Sequence, residues 1–186
     1  ILPLLATASN SGSVILYNTT TFPPTVQDRL KDHNGFVYCV LFHPNQPLLA
    51  TGSGNNTATI CNITTSPPTK QHHLKHHTDS VASVAFHSTC PLFVTGSYDH
   101  TAILYDFTAT PTTKQHHFKN HGMWVSSVAF HPRLLILATA TWGSSVFLYD
   151  ISVSPATLCC HFEDHTLSVF CVAFHPTLSY FATGSE

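Results

Sequence analysis

Charged side chains are scarce in this 186-residue chain: they make up 9% of the residues, with seven basic and nine acidic ones. The basic residues form no cluster, so the sequence offers no electrostatic surface for a nucleic-acid backbone or an anionic bilayer. No apolar run approaches the roughly 18 residues that a membrane-spanning helix needs. The first ten residues lack the basic flank and the length of a signal peptide. We expect neither nucleic acid nor membrane among the partners.

Patterns typical of catalysis and metal binding are also missing. The sequence has no G-x-S-x-G elbow, no glycine-rich phosphate loop and no paired carboxylates. The six cysteines lack paired metal spacing and lie mostly in apolar alternating segments, which favours free thiols in an intracellular, cytoplasmic setting. Asn-x-Thr sequons would also fit a secreted protein. We expect no enzyme activity, no cofactor and no bound metal.

The chain does contain an internal repeat with a step of 44 residues. The segment VLFHP ends at Pro44, and related segments end at Ser88, Pro132 and Pro176. The segments LLATGS, LFVTGS, ILATAT and YFATGS recur with the same step, as do ATICN, AILYD and VFLYD. Such a period indicates a repeat architecture in which each copy stacks on its neighbours.

Each repeat contains four short strands, which we call a to d. In residues 77–120 these are SVASVAFH, PLFVTGS, TAILYDF and TTKQHHFKNH, separated by turn residues. A four-stranded sheet cannot bury both faces alone, so neighbouring copies must stack, which predicts an all-β propeller. The segment order predicts strands b-c-d, three complete blades and a final a-b pair, all in one domain over residues 1–186.

This pattern resembles the WD-repeat β-propellers. The resemblance rests on the period, a fixed His before strand a, V-x-x-V-x-F in strand a, A-T-G-S in strand b, and an aromatic-Asp pair closing strand c. The Gly-His and Trp-Asp pairs that name the family are degenerate. The resemblance implies four-stranded antiparallel blades and, since family rings usually have about seven of them, an incomplete portion of a larger ring. A self-closed four-blade ring, or two chains completing an eight-blade ring, are the alternatives.

The resemblance also implies a buried hydrogen-bonded network in each blade. Its members are the His before strand a, a Ser or Thr in strand b, an Asp in the next turn and the aromatic residue of strand c. By position, the complete set in this chain is His77, Thr95, Asp99 and Tyr105. The corresponding histidines of the other repeats are His33, His121 and His165. A linked network of this kind makes a blade more rigid.

Two repeats lack part of this network. His33 has Asn55 at the Asp position and Cys61 at the aromatic position, while His121 has Gly143 at the Asp position. We therefore expect these two blades to be less rigid than the blade of His77.

The chain contains 15 histidines, several of them clustered in QHHLKHH at residues 71–77. The register separates this cluster: His77 belongs to the network column, whereas His72 and His73 are consecutive on an outer strand and point to opposite faces. A second column closes each strand a: His43, His87, His131 and His175. Its blade-to-blade spacing far exceeds a metal coordination distance of about 2 Å, so no single metal site is expected there.

The resemblance places the partner contacts of such propellers on the top face. Carried over by position, the candidate residues are Asn10, Phe36, Tyr38, Ser80, Tyr98, Trp124, Ser126, Trp142, Ser168 and Phe170. Both tryptophans of the chain belong to this set. Rim aromatics held on rigid strands are typical of interface hot spots.

We therefore expect a non-catalytic scaffold that binds a protein or peptide on an aromatic top face, with the serines and Asn10 supplying hydrogen bonds. The alternative is a purely structural propeller that assembles through its blade edges, with the aromatics buried between blades. Further blades of the same chain, or a second copy, would then complete the ring. A weaker alternative is a His-based metal-binding or pH-responsive surface.

Overall fold

The computed structural model describes residues 3–109 and 111–186. These residues form short antiparallel strands joined by turns, grouped into five sheets that we call blades 1 to 5. Blade 1 comprises β1 (Leu4–Ala8), β2 (Val14–Asn18) and β3 (Thr25–Leu30). Blade 2 comprises β4 (Val37–Phe42), β5 (Leu48–Ser53), β6 (Ala58–Asn62) and β7 (Thr69–Leu74).

The remaining blades follow the same order along the chain. Blade 3 comprises β8 (Val81–Phe86), β9 (Leu92–Ser97), β10 (Ala102–Asp106) and β11 (Thr113–Phe118). Blade 4 comprises β12 (Val125–Phe130), β13 (Ile136–Thr141), β14 (Val146–Asp150) and β15 (Thr157–Phe162). Blade 5 comprises β16 (Val169–Phe174) and β17 (Phe181–Ser185). The predicted all-β architecture of four-stranded antiparallel blades is confirmed.

The core lies between the blades rather than inside any one of them. Strands β5, β9 and β13 are buried along almost their whole length, because a neighbouring blade covers each of their faces. One apolar cluster joins Ala50 and Ile60 of blade 2 to Phe93 and Tyr105 of blade 3. The outermost strand β15 is mostly exposed. Stacking therefore supplies the burial that a single blade cannot provide.

Polar contacts also join successive blades along their inner strands β4, β8, β12 and β16. The Val128 N–H donates to Ser83 Oγ at 3.1 Å, and the Val172 N–H donates to Ser127 Oγ at 3.2 Å. These bonds repeat between blades 3 and 4 and between blades 4 and 5, so the inner strands keep one register. Among the described residues, no helix is long and apolar enough to cross a membrane.

Candidate protein-interaction face

The top rim is formed by the turns inside each blade and by the loops that enter the inner strands. The turn between the second and third strand of a blade donates a backbone N–H to a carbonyl of the entering loop. These bonds are Gly54 N to Phe36 O at 2.7 Å, Tyr98 N to Ser80 O at 3.0 Å, Trp142 N to Trp124 O at 3.0 Å, and Glu186 N to Ser168 O at 3.2 Å. The repeated bond fixes the turn against the loop and thereby positions the side chains of the rim.

A β-bulge in each inner strand also positions rim side chains. In β4 the pairing with β5 skips from Val37 to Cys39, so Tyr38 is the extra residue. In β16 the pairing skips from Val169 to Cys171, so Phe170 is the extra residue. A bulge re-aims the side chain of its unpaired residue. Both aromatic side chains are exposed at the rim, 44% for Tyr38 and 46% for Phe170.

Six aromatic side chains of the rim form one continuous row, which we call the aromatic belt: Phe36, Tyr38, Tyr98, Trp124, Trp142 and Phe170. Successive ring centroids lie 6.3 Å apart for Phe36 and Tyr38, 5.8 Å for Tyr38 and Tyr98, 4.8 Å for Tyr98 and Trp124, 4.9 Å for Trp124 and Trp142, and 5.7 Å for Trp142 and Phe170. The belt runs from blade 2 to blade 5, and each blade on this path contributes at least one ring.

The rings of the belt face solvent while they contact each other. Phe36 is 50% exposed, and Trp124 and Trp142 are each 37% exposed. Tyr98 is half-buried, and burial raises the pKa of its hydroxyl, as do the neighbouring Tyr38 and Asp79. Exposed apolar surface of this kind is typical of a protein-binding site.

Two of the polar candidates of the rim, Ser126 and Ser168, form hydrogen bonds inside the chain. Ser126 Oγ donates to Ala140 O at 3.1 Å and also lies within hydrogen-bond distance of Val169 O, while Ser168 Oγ donates to Trp142 O at 3.0 Å. These two hydroxyls donate inside the chain and can only accept from a partner, so their contact with a partner stays a prediction. Their role is to hold blade 4 against blade 5.

The other two polar candidates lie at the surface. Ser80 is half-buried, and its carbonyl accepts from Tyr98 N. Asn10 lies in the exposed turn between β1 and β2. The Val37 N–H donates to Ser9 O at 3.1 Å, so the turn of Asn10 adjoins the blade that begins the belt.

The network of blade 3 is built around His77. Its Nδ1–H donates to Asp99 Oδ2 at 2.8 Å, and its Nε2 lies 2.7 Å from Thr95 Oγ1. The same carboxylate accepts from Thr78 N at 3.0 Å and from Thr101 Oγ1 at 2.6 Å. Burial raises the pKa of Asp99, but the hydrogen bonds from His77, Thr101 and Thr78 outweigh it and hold the pKa well below its usual range. Asp99 is therefore an ionised, fully bonded acceptor.

The sequence did not indicate Thr101 as a member of this network. Its position corresponds to Thr57 in blade 2, where Oγ1 donates to Asn55 Oδ1 at 2.7 Å and lies 3.2 Å from His33 Nδ1. In blade 4 the corresponding residue is Ser145, whose Oγ lies 3.4 Å from Gly143 O. A hydroxyl residue recurs at this position of the repeat, as Thr57, Thr101 and Ser145, and this recurrence is the sequence feature that could have indicated the role of Thr101.

The His–Thr bond recurs in four blades, with Nε2 to Oγ1 distances of 2.7 Å for His33 and Thr51, 2.7 Å for His77 and Thr95, 2.9 Å for His121 and Thr139, and 2.7 Å for His165 and Thr183. The Nδ1 atom differs between blades. In blade 2 it lies 3.3 Å from Asn55 Oδ1. In blade 4 Gly143 offers no side chain, and the buried Nδ1 of His121 has no partner among the described residues.

Comparison with known proteins connects this geometry to a family. The family model described as "WD domain, G-beta repeat" (WD40) matches residues 24–62, 68–106, 112–150 and 156–186. The chain belongs to the WD40 repeat family. The four matched segments each begin with the outer strand of one blade and run into the next blade, so they follow the 44-residue repeat.

A solved structure described as "Crystal Structure of Mitotic Checkpoint Complex" contains a similar fold, with a TM-score of 0.86 and 18% sequence identity. The alignment covers 98% of this WD40 chain and 56% of that chain, so this chain spans little more than half the length of its structural neighbour. At this identity the likeness establishes the fold alone. The search of curated proteins gave no match.

This WD40 chain departs from its family at the Trp position of the network. Tyr105 in blade 3 is fully buried, and its hydroxyl has no hydrogen-bond partner among the described residues, so it does not complete the predicted set with Thr95. In blade 4 the Tyr149 hydroxyl lies 3.4 Å from His121 Nε2. In blade 2 the Cys61 thiol donates to Asp32 Oδ2 at 3.5 Å, and Lys70 Nζ lies 2.8 Å from Asp32 Oδ1.

The second histidine column of the WD40 repeats caps the turns on the opposite rim. In every case Nδ1 accepts two backbone N–H groups, at distances between 2.9 and 3.3 Å, from the residues two and three positions later. The histidines are His43, His87, His131 and His175. Each Nδ1 lone pair is therefore occupied by the turn. Among the described residues, no group of His, Cys, Asp or Glu could hold a metal ion.

The histidines of this column also pack on the following blade. The His43 ring centroid lies 4.9 Å from that of Phe86, His87 lies 5.4 Å from Phe130, and His131 lies 5.2 Å from Phe174. These three capped turns therefore serve as contacts between neighbouring WD40 blades.

A concave site of the WD40 chain lies between blades 1 and 2 on that opposite rim. It has a volume of about 590 Å³ and is lined by Leu4, Phe42, His43, Pro44, Asn45, Gln46, Pro47, Ile63 and Thr64. Phe42 and Ile63 occupy the positions that Phe86 and Phe107 hold in blade 3, where His43 packs on them. Among the described residues, blade 1 has no inner strand, so the cavity marks a gap in blade-to-blade packing.

Proposed function

We propose that this WD40 chain is a non-catalytic scaffold that binds a peptide or a protein segment along the aromatic belt. The observation that supports this most is the continuity of the belt: six rings from four blades contact one another in sequence, and all but the half-buried Tyr98 are exposed. Trp and Tyr dominate interface energetics because they bury a large area at a low cost in side-chain entropy. The free thiols of all six cysteines support an intracellular setting.

The energy of binding would come from burying ring surface rather than from ion pairs. Charged groups at the belt are few: Asp79 adjoins Tyr98, and the backbone of Glu186 binds Ser168. Binding should therefore change little with ionic strength.

A random peptide library, displayed on phage and selected on the immobilised chain, tests this proposal. The selected peptides are expected to lose binding to the W124A/W142A double variant. The matched control is F22A, which removes a 99% exposed aromatic ring from the loop between β2 and β3 on the opposite rim. Peptides that bind the double variant as well as the parent chain would contradict the proposal.

A second function, assembly through the edge of blade 1, is favoured by one specific observation. The edge of β1 is unpaired in the described sheets, and the apolar residues Leu4, Phe42 and Ile63 line the cavity beside it. An unpaired strand edge next to apolar surface is a site for strand addition.

Light scattering over a hundredfold range of concentration tests this second function. Assembly predicts a concentration-dependent dimer that is weakened by L4E, which places a charge in the cavity, and retained by L5E, whose side chain points to the other face of β1. A monomer at every concentration would exclude it.

A further inference from the structure

The polar atoms of the aromatic belt have a common hydrogen-bonding character. Tyr38 and Tyr98 carry hydroxyls, and Trp124 and Trp142 carry indole N–H groups that can only donate. None of these four groups is bonded to another protein group in the described part of the chain, and all lie on exposed or half-buried side chains. The belt therefore combines apolar ring faces with unused hydrogen-bond donors.

A peptide that binds the belt must pair its own polar groups. Each non-proline residue brings a backbone N–H that must find an acceptor when it is buried. The hydroxyls of Ser126 and Ser168 already donate to carbonyl groups inside the chain, so they can only accept from a partner, and the two indole N–H groups can only donate. A partner that presents carbonyl oxygens and few N–H groups therefore satisfies the belt donors and leaves the fewest buried N–H groups unpaired.

A proline-rich segment has that property. Proline has no backbone N–H, and consecutive prolines form an extended polyproline II helix with solvated carbonyls and a rise of about 3.1 Å per residue. The centroid spacings of 4.8 to 5.8 Å between Tyr38, Tyr98, Trp124, Trp142 and Phe170 span about one and a half to two such residues. Aromatic rings pack well on proline rings, and the preformed helix loses little entropy on binding.

We propose that the aromatic belt is a docking surface for proline-rich polyproline II segments, which stack their rings on Tyr98, Trp124 and Trp142 and accept hydrogen bonds from the Tyr and Trp donors. This inference rests on the proposed function of the belt and names the chemistry of its partner. An amphipathic helix fits less well, because it docks its apolar face into a hydrophobic groove, whereas the belt is a row of aromatic rings.

The tryptophans provide a direct signal for the test. The chain has two of them, and both lie in the belt, so tryptophan emission reports on this surface alone. Titration with decaproline is expected to give a saturable shift of the emission to shorter wavelength, because stacking removes the rings from water. A ten-residue peptide of alternating Gly and Ser, which has N–H groups and no proline rings, is expected to give no shift.

Two variants test the role of the donors. Y98F and Y38F keep the rings and remove the hydroxyls, and each is expected to weaken decaproline binding by about fivefold to tenfold. F22A, away from the belt, is expected to bind as the parent chain does. Circular dichroism verifies that each variant is folded.

The outcomes separate this inference from the proposed function. If decaproline gives no saturable shift while library peptides without proline bind the belt and require Trp124 and Trp142, the proline inference is overturned and the proposed function stands. If no library peptide depends on these tryptophans, the proposed function fails as well. Decaproline binding that is the same in Y98F, Y38F and the parent chain would overturn the role of the donors.

Discussion

Trp142 donates its backbone N–H to the backbone oxygen of Trp124 at 3.0 Å, and the two indole ring centroids lie 4.9 Å apart. Trp142 belongs to the turn between β13 and β14, and Trp124 immediately precedes β12. One backbone bond between turn and loop therefore sets the pair at the centre of the aromatic belt. Ser168 Oγ donates to the Trp142 oxygen at 3.0 Å and extends the connection to blade 5.

The arrangement predicts that ring truncation weakens binding without abolishing folding. W124A and W142A leave the bond from Trp142 N to Trp124 O intact, because it joins backbone atoms. Each side chain is 37% exposed, so most of its surface is buried and its removal should lower the free energy of unfolding by about 2–3 kcal/mol, which chemical denaturation measures. A loss of cooperative unfolding in either variant would instead mean that the rings are part of the core and would favour the purely structural function.

The network of blade 3 predicts a large effect for Asp99. D99A removes the 2.8 Å acceptor of the buried His77 Nδ1–H, which then has only the longer 3.3 Å contact with Thr101 Oγ1, and it also removes the partner of Thr78 N. We expect the free energy of unfolding to fall by about 2–4 kcal/mol, as measured by denaturant titration. D164A, which removes an exposed carboxylate, is the control and should change it by about 0.5 kcal/mol or less. An equal effect of the two substitutions would show that the network adds nothing to stability.

Histidine burial predicts that stability falls in mild acid. Burial lowers the pKa below 6.5 for nine histidines, and five of these side chains are buried: His33, His43, His72, His87 and His121. The neutral imidazole is therefore favoured in the folded chain, and below pH 6.5 the unfolded chain binds more protons. The contribution of these neutral histidines to the free energy of unfolding is fully present above pH 6.5 and is lost as the pH falls toward 4. Protonation of the capping histidines would also remove the Nδ1 lone pairs that accept turn N–H groups.

His121 should dominate this dependence, because burial lowers its pKa to about 4. The shift corresponds to about 3 kcal/mol of stability at about 1.4 kcal/mol per pKa unit. H121Q is expected to flatten the change of unfolding free energy between pH 6.5 and pH 4. H100N, which replaces an exposed histidine with a residue that also tolerates its positive φ of 70°, is the control and should keep the slope. A parent chain with constant stability over this range would contradict the prediction.

Substitutions in two turns of the top rim should change the stability of the chain in opposite directions. Gly12 and His100 hold the same register, with φ of 78° and 70°. G12A should destabilise the chain by about 2 kcal/mol or more, because an added Cβ would meet His33 O at 2.5 Å in a strained conformation. H100G should stabilise it by about 0.5–1 kcal/mol, because the left-handed conformation no longer strains a side chain. Thermal unfolding of both variants measures the two signs, and a destabilised H100G would refute the strain argument.

The 44-residue period of the sequence was enough to predict most of the fold. A step of 44 residues places His77, Thr95 and Asp99 in the same blade, and the structure shows them bonded to one another. The bulges of the inner strands could not be predicted, because no residue type marks them: Tyr38 and Ser126 occupy the same bulged position. That position decides which side chains reach the rim.

The polar part of the candidate site was harder to predict than its aromatic part. Ser126 and Ser168 have the right register for partner contacts, but their hydroxyls donate to Ala140 O and Trp142 O. Their carbonyl partners lie 14 and 26 residues away in sequence, and a hydroxyl can bond to either a partner or the backbone. The sequence alone cannot choose between the two. The indole rings of Trp124 and Trp142 are too large to be taken up by a backbone carbonyl in this way, so their place at the rim could be predicted from the register.

The central claim is that the aromatic belt binds a partner segment. The most direct measurement is the dissociation constant of a library-selected peptide for the parent chain, W142A and F22A, by isothermal titration calorimetry. We predict that W142A weakens binding by about thirtyfold or more, as expected for a hot spot worth about 2 kcal/mol, and that F22A leaves it unchanged. Equal dissociation constants for W142A and the parent chain would contradict the claim.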